Sequence, residues 1–398
     1  MNTSVIILAA GFSNRMAPDF KPLVNLPYPN GESMVIARLI DLYKSEQIEV
    51  YVVGGHRADD LIGIVQEMGA IFVRNQNPER GMFSSIQCGL NAVSNSATHI
   101  FIQPCDIPLI RELSIRSLIR QITHNPDTIL HPVYKGKIGH PVLIPAGARN
   151  IVLSAKESSN LAVVLGDYPL RAIPLPDANI LVDMDTRDDY EKVKNMAPKI
   201  GLLTSEEAYE LIEVRGISND IKMHLKAVGL VAKEFAASVN WSRRLHNNRK
   251  LLDLDVALAG GLVHDLFKGQ PRHDEAVGTF FRTNGMEEMA VLVESHMDLT
   301  IADDSMFTEK EMVFLADKFV SGHSAVSIVD RFAKPMEQSS HGTGNYQKIV
   351  SRRAHAIAMA NRFAEETRQD PLSLVQKVLA PLQKENEEGI VNGSDKTI

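Results

Sequence analysis

Cysteine is almost missing from this chain of 398 residues: only Cys88 and Cys105 occur, both inside apolar segments. Neither a disulfide framework nor a thiolate metal site is therefore expected. Aromatic residues are scarce at 6%, tryptophan occurs once, and no basic block accompanies the net charge of −7, which argues against a nucleic-acid surface. No apolar run approaches the roughly 20 residues needed to span a bilayer. No cationic leader precedes the first short apolar run. The expectation is a cytoplasmic protein with neither a nucleic-acid nor a membrane partner. What remains, 44% hydrophobic and 23% charged residues, suits a globular protein too long for one ordinary core.

The two halves differ in pattern. Residues 1–198 alternate short β-branched runs with amphipathic segments, the signature of a mostly parallel sheet covered by helices. Strands are expected at 5–10, 49–53, 70–73, 99–103, 128–133, 141–144, 170–173 and 180–183, and helices near 34–44, 59–68, 82–93 and 111–124, with the closely spaced later strands forming a small antiparallel addition. After Pro198 and Gly201 no convincing strand recurs, so a second, all-α domain is expected over 204–383, followed by a frayed Glu- and Asn-rich tail at 384–398. Thr204 with Glu207 and Thr308 with Glu311 have capping-box spacing. Ser218 precedes a helix with the apolar stripe Ile221, Leu225, Val228, Ala232 and Phe235.

The first stretch carries the first chemistry. Val5-Ile-Ile-Leu-Ala-Ala-Gly-Phe-Ser-Asn-Arg-Met-Ala-Pro-Asp-Phe-Lys21 runs from a buried strand into a turn opening at Gly11 and ending on two cations. A glycine at a strand's carboxyl end lets the backbone approach a polyphosphate where a Cβ would collide, and Arg15 and Lys21 can neutralise it. Asp106, between Pro104 and Pro108, follows another strand, and Asp183 and Asp185 share a face by strand alternation. Such carboxylates are the ligands Mg²⁺ prefers. Taken singly, Asp106 reads as a turn aspartate and Asp185 as a helix cap.

Leu8, Ala9, Ala10, Gly11, Ser13, Arg15, Met16 and Lys21 together resemble the signature of the molybdenum cofactor nucleotidyltransferase family, with Ala17 where relatives usually carry Gly and one extra residue before Lys21. The resemblance continues through the segment from Gly81 to Gly89, through Cys105-Asp106-Ile107-Pro108, through Gly139-His140-Pro141 and through Asp183-Met184-Asp185. It implies a Rossmann-like α/β domain of the nucleotide-diphospho-sugar-transferase type. It also implies nucleotide binding by Ala10, Gly11, Arg15, Lys21, Gly81, Ser85 and His140, Mg²⁺ on Asp106 and Asp183, and catalysis by Lys21, Arg15 and Asp106. The substrates implied are an NTP and a phosphorylated acceptor, molybdopterin or another small-molecule phosphate, with a molybdenum-enzyme apoprotein as a further candidate partner. Ala10 places the likeness nearest the cytidylyltransferase branch, favouring CTP.

In the second half, His264-Asp265 closes the apolar run 256–263 and is followed by Lys268, while His224, His296 and Asp317 fall beside apolar helix positions. Any one such histidine is most simply a core residue bonded to a carbonyl. Their order, with His273, resembles the HD-domain superfamily of metal-dependent phosphohydrolases. That resemblance implies a metal site of His224, His264, Asp265 and Asp317, a second ion held with His273 and His296, and charge stabilisation by Lys268, with Asp265 central to catalysis. Mixed imidazole and carboxylate ligands suit Mn, Fe, Ni or Zn. A nucleotide-binding regulatory module is the alternative role for this half.

Overall fold

In this computed structural model the described residues are 2–246, 250–270, 272–294, 306–341 and 343–393, with the side chains of 274 and 383–393 outside that description. The chain divides into two compact units, Met1–Ile200 and Gly201–Ile398. No helix among the described residues is long and apolar enough to cross a membrane.

The first unit is built on β1 (Thr3–Ala9), whose residues Val5, Ile6 and Ile7 are fully buried because both faces of the strand are covered. A hairpin follows, β2 (Asn25–Tyr28) with β3 (Gly31–Met34), then α1 (Val35–Ser45), β4 (Glu49–Gly54), α2 (Ala58–Glu67), β5 (Ile71–Arg74), α3 (Met82–Ala92) and β6 (His99–Pro104). The remainder is α4 (Glu112–Ile122), β7 (Ile129–Tyr134), β8 (Lys137–Ile138), β9 (Val142–Pro145), α5 (Arg149–Ser154), α6 (Leu161–Val164), β10 (Leu170–Pro174) and α7 (Arg187–Met196). The main sheet runs β10-β7-β9-β6-β1-β4-β5, with β8 paired to β7. β1 pairs in parallel with both β4 and β6, while β9 is antiparallel to β6 and to β7. Val5 and Ile7 pack with α1, α2 and α4 on one face, and Ile6 and Leu8 pack with α3 and α5 on the other. Because β4 and β6 leave β1 in opposite directions, the carboxyl end of β1 is a topological switch point, where open α/β sheets bind ligands.

Two sequence expectations change here. Residues 180–183 are no strand: the Asp177 carboxylate accepts from the Asn179 amide and starts a 3-10 turn over Ala178–Leu181. The β2–β3 hairpin was not anticipated, although Asn30-Gly31 at its turn is a hairpin signal; Pro27 inside β2 hid it.

The second unit contains α8 (Ser205–Val214), α9 (Asn219–Leu245), α10 (Leu254–Val263), α11 (His273–Thr283), α12 (Glu287–Glu294) and α13 (Glu309–Phe319). A minimal hairpin of β11 (Val320–Ser321) and β12 (Ser324–Ala325) precedes α14 (Ile328–Glu337), α15 (Gly344–Thr367) and α16 (Pro371–Gly393). The expected tail begins inside α16, and residues 394–398 lie outside the described residues. Thr204 and Glu207 form the anticipated capping box, and Glu311 accepts from the Thr308 amide at 2.7 Å. Ser218 precedes α9 without a side-chain cap bond. The α9 and α10 backbones meet at two glycines: a Cβ on Gly261 would lie 2.5 Å from the Gly229 Cα. That close approach sets His224, on α9, against His264, just past α10.

Candidate functional site

Beyond β1 the chain turns through Ser13, held in the left-handed region at φ 53°, whose hydroxyl accepts from the Lys21 amide at 3.2 Å. Buried Met16 pins the loop from beneath, so Arg15 points to solvent while Lys21 points inward. A Cβ at Gly11 would meet nothing within 4 Å, and Gly11 has no positive φ, so packing alone does not require glycine there. Leu8, Gly11, Ser13, Lys21 and Asp106 are among the residues lining a small pocket at this end of the sheet.

Parallel pairing brings Asp106 to the same place, since the Cys105 amide donates to the Leu8 carbonyl at 3.1 Å. The Met184 amide then donates to the Asp106 carbonyl at 2.8 Å, drawing in the following residue. Lys21 Nζ consequently lies 2.6 Å from Asp185 Oδ1 and 3.4 Å from Asp106 Oδ2, and Arg15 Nη2 lies 2.6 Å from Asp185 Oδ2. The hydrogen bond from Lys21, reinforced by the charges of Lys21 and Arg15, holds the Asp185 carboxyl below the usual carboxylate range against the opposing effect of burial. This is the second carboxylate of the group. Asp183, expected in that role, is exposed, and among the described contacts none joins it to Lys21 or Asp106. The physical reason is the missing strand: without the ladder, alternation cannot hold both side chains on the site. Two carboxylates offer the hard oxygen ligands that Mg²⁺ prefers.

The remaining expected nucleotide residues are spread around this end. The Ala10 carbonyl accepts from the His56 amide at 3.2 Å, and a Cβ on Gly55 would lie 3.0 Å from the Ala10 Cβ. Gly81 precedes α3 with φ 90°. Ser85 is buried in α3, its hydroxyl accepting from Asn75 at 2.9 Å, and so is engaged in packing the turn after β5. The His140 amide donates to the Ile180 carbonyl at 3.0 Å, and Gly139 leaves no room for a Cβ, which would lie 2.6 Å from that same oxygen. Burial lowers the pKa of His140, and Asp106 partly restores it. Sequence reasoning missed the ring cluster beside the loop: Phe12 and Phe20 lie 5.1 and 6.1 Å from His56, with Arg57 4.9 Å over Phe20. No spacing signal announces it.

A second constellation lies wholly in the helical unit. His224, His264 and Asp265 present ligand atoms within 4.8 Å of one another, all buried. Asp317, from α13, places Oδ1 3.8 Å from His224 Nε2 and 3.6 Å from His264 Nε2. Each imidazole has its other nitrogen tied to backbone: His224 Nδ1 donates to the Gly322 carbonyl at 2.8 Å and His264 Nδ1 to the Gly261 carbonyl at 2.8 Å. Both Nε2 atoms therefore face the carboxylates, leaving them as the ring nitrogens available to a metal. Buried His224 Nε2 makes no hydrogen bond, and burial, with the neighbouring His264, pushes its pKa down to about 4. A neutral imidazole aimed at two carboxylates fits a transition-metal ion. His273 Nε2 approaches Asp265 Oδ1 at 3.4 Å and Lys268 Nζ approaches Asp265 Oδ2 at 2.5 Å, so both expected residues join the cluster. His296 lies outside the described residues. Lys318, 2.8 Å from Asp317 Oδ2, and Arg331, 3.5 Å from Asp317 Oδ1, were not anticipated.

Residues 5–172 match the family described as the MobA-like NTP transferase domain. The molybdenum cofactor cytidylyltransferase of Escherichia coli is 25% identical over 198 residues, 49% of this chain and 97% of that protein. The bifunctional protein GlmU of Solibacter usitatus is 28% identical over 126 residues, 31% of this chain and 26% of that protein. Among solved structures, the rv0371c homolog from Mycobacterium sp. strain JC1 aligns with a TM-score of 0.41 and 25% identity over 49% of this chain and 96% of that one. The N-terminal part of the chain, residues 5–172, is a MobA-like NTP transferase domain similar to molybdenum cofactor cytidylyltransferase.

Proposed function

We propose that the chain is a bifunctional enzyme, transferring a nucleotidyl group in its first unit and hydrolysing a phosphate ester or anhydride in its second. The observation that carries the first activity is the joining of Asp106 and Asp185 through Lys21 at the carboxyl end of β1. An acceptor phosphate, anionic near neutral pH, attacks the NTP α-phosphate in line; the new phosphoanhydride bond forms as the α–β bond breaks and pyrophosphate leaves with its electron pair. No general base is needed. Lys21 and Arg15 stabilise the charge that spreads over the phosphoryl oxygens, and the backbone at Gly11 admits the triphosphate. Asp106 and Asp185, rather than Asp183, are the residues that would hold Mg²⁺, which supplies Lewis-acid stabilisation when bound.

The acceptor assigned is molybdopterin or the molybdenum cofactor, on the similarity to the cytidylyltransferase, and CTP is the favoured nucleotide on the Ala10 motif. A sugar or alcohol phosphate is the competing acceptor. Pyrophosphate release measured on the full chain with Mg²⁺ and each NTP, with and without molybdopterin, separates the two.

The second activity is carried by the convergence of His224, His264, Asp265 and Asp317. These four would hold a transition-metal ion in the manner of an HD-domain phosphohydrolase, and such an ion supplies Lewis-acid activation of a bound phosphate. Lys268 would offset charge on the phosphoryl oxygens. Hydrolysis of p-nitrophenyl phosphate by the Mn-loaded chain tests this, and nucleotide binding without turnover would favour a regulatory role instead.

A further inference from the structure

Asp317 divides its two oxygens between different tasks. Oδ2 is 2.8 Å from Lys318 Nζ, a side chain only 7% exposed and so committed to the interior. Oδ1 faces both imidazoles, at 3.8 and 3.6 Å, and is the oxygen placed for an ion held by His224 and His264. The guanidinium of Arg331 reaches that same oxygen, at 3.5 Å, from α14, and its side chain is 29% exposed. On the other carboxylate, Lys268 Nζ meets Asp265 Oδ2 at 2.5 Å with 40% of its side chain exposed. Among the described cations of this cluster, Arg331 and Lys268 thus stand at its solvent-facing side, one on each carboxylate, while Lys318 does not.

We propose that Arg331 is a substrate-binding residue of this second site and that, with Lys268, it selects a dianionic terminal phosphate over a phosphodiester; this rests on the reading of the unit as a metal-dependent phosphohydrolase. A phosphoryl oxygen bound beside Asp317 Oδ1 comes within reach of the Arg331 fork, which can hold two oxygens of one phosphate. The ion pairs described here set three cations against two carboxylates, and a divalent ion makes the centre more positive still. A terminal phosphate, carrying about −1.5 to −2 charges at pH 7, compensates that excess better than a diester with one. Its third oxygen also remains open to Lys268, whereas a diester spends that oxygen on a second ester bond.

The test uses the Mn-loaded full chain as wild type, Arg331→Ala and Arg331→Lys. Metal content is measured by elemental analysis, inorganic phosphate binding by calorimetry, and turnover with p-nitrophenyl phosphate and bis(p-nitrophenyl) phosphate. Loss of the fork is expected to weaken phosphate binding and raise KM for the monoester about 10- to 100-fold at unchanged metal content. Arg331→Lys should recover part of the loss, and the diester should respond less than the monoester. Equal phosphate binding by wild type and Arg331→Ala overturns the proposal, as does a loss of metal matching that of Asp317→Ala, which would make Arg331 a support for the carboxylate. If wild type itself holds no metal, or holds metal without binding phosphate, the phosphohydrolase reading fails and takes this proposal with it.

Discussion

Lys21 Nζ lies 2.6 Å from Asp185 Oδ1, a hydrogen bond that joins the loop after the first strand to a segment 164 residues further along the chain. The pair does more than fix the loop. It depresses the pKa of Asp185, chiefly through the Lys21 hydrogen bond. A carboxyl whose folded pKa is lowered contributes stability above its unfolded value of about 3.9, and that contribution is lost as the pH falls through the depressed value. Because the site is open to solvent, the contribution is small.

Lys21→Ala should therefore return the Asp185 pKa toward the ordinary carboxylate value, read by carboxyl carbon chemical shift against pH. The same variant should lower nucleotidyl transfer about 100- to 1,000-fold, the usual cost of removing one preorganised donor at a developing charge. Its fold should survive, since the Lys21 side chain is not part of the apolar core. An unfolded variant would make Lys21 a structural residue.

Asp106→Asn should abolish transfer and leave the metal content of the second unit unchanged. An amide cannot supply the anionic Mg²⁺ ligand, and His224, His264 and Asp265, the proposed ligands of the second unit, all belong to that unit. Elemental analysis beside a pyrophosphate assay checks both halves of the expectation.

The buried pair of Arg111 and Asp177 is a stability prediction independent of chemistry. Arg111 Nη1 lies 2.8 Å from Asp177 Oδ1, and the Arg111 amide, the Ser114 hydroxyl and the Asn179 amide also donate to that carboxylate. With the side chains 5% and 0% exposed, Asp177→Ala removes the buried carboxylate that compensates the Arg111 charge. It should destabilise the first unit by about 3–5 kcal/mol, measured by urea unfolding.

Much of this site was legible because its residues sit in short strings after strands: Gly11, Arg15 and Lys21 after β1, and Asp106 after β6. Asp185 was harder to read, since choosing between it and Asp183 depended on a strand at 180–183 that Asp177 converts into a turn. In the helical unit, His264-Asp265 stands out at the end of an apolar run, and helix periodicity brings His224 and Asp317 inward. Arg331 gives no such signal. It is one basic residue on an exposed helix, and only the tertiary approach of α14 to Asp317 distinguishes it.

Asp265→Ala in the full chain should remove most transition-metal binding, because imidazoles left without that charge-neutralising carboxylate hold the ion far less tightly. Metal retained at the wild-type level would show that Asp265 is not a ligand.

The central claim is nucleotidyl transfer onto a phosphorylated acceptor, and pyrophosphate release by the purified full chain with Mg²⁺ measures it directly. The account predicts release that requires both an NTP and molybdopterin, is greatest with CTP, and disappears in Asp106→Asn. Release with GTP exceeding that with CTP would contradict the nucleotide assignment, and no release with any NTP in the presence of molybdopterin would contradict the acceptor assignment and, if sugar and alcohol phosphates also fail, the transferase reading itself.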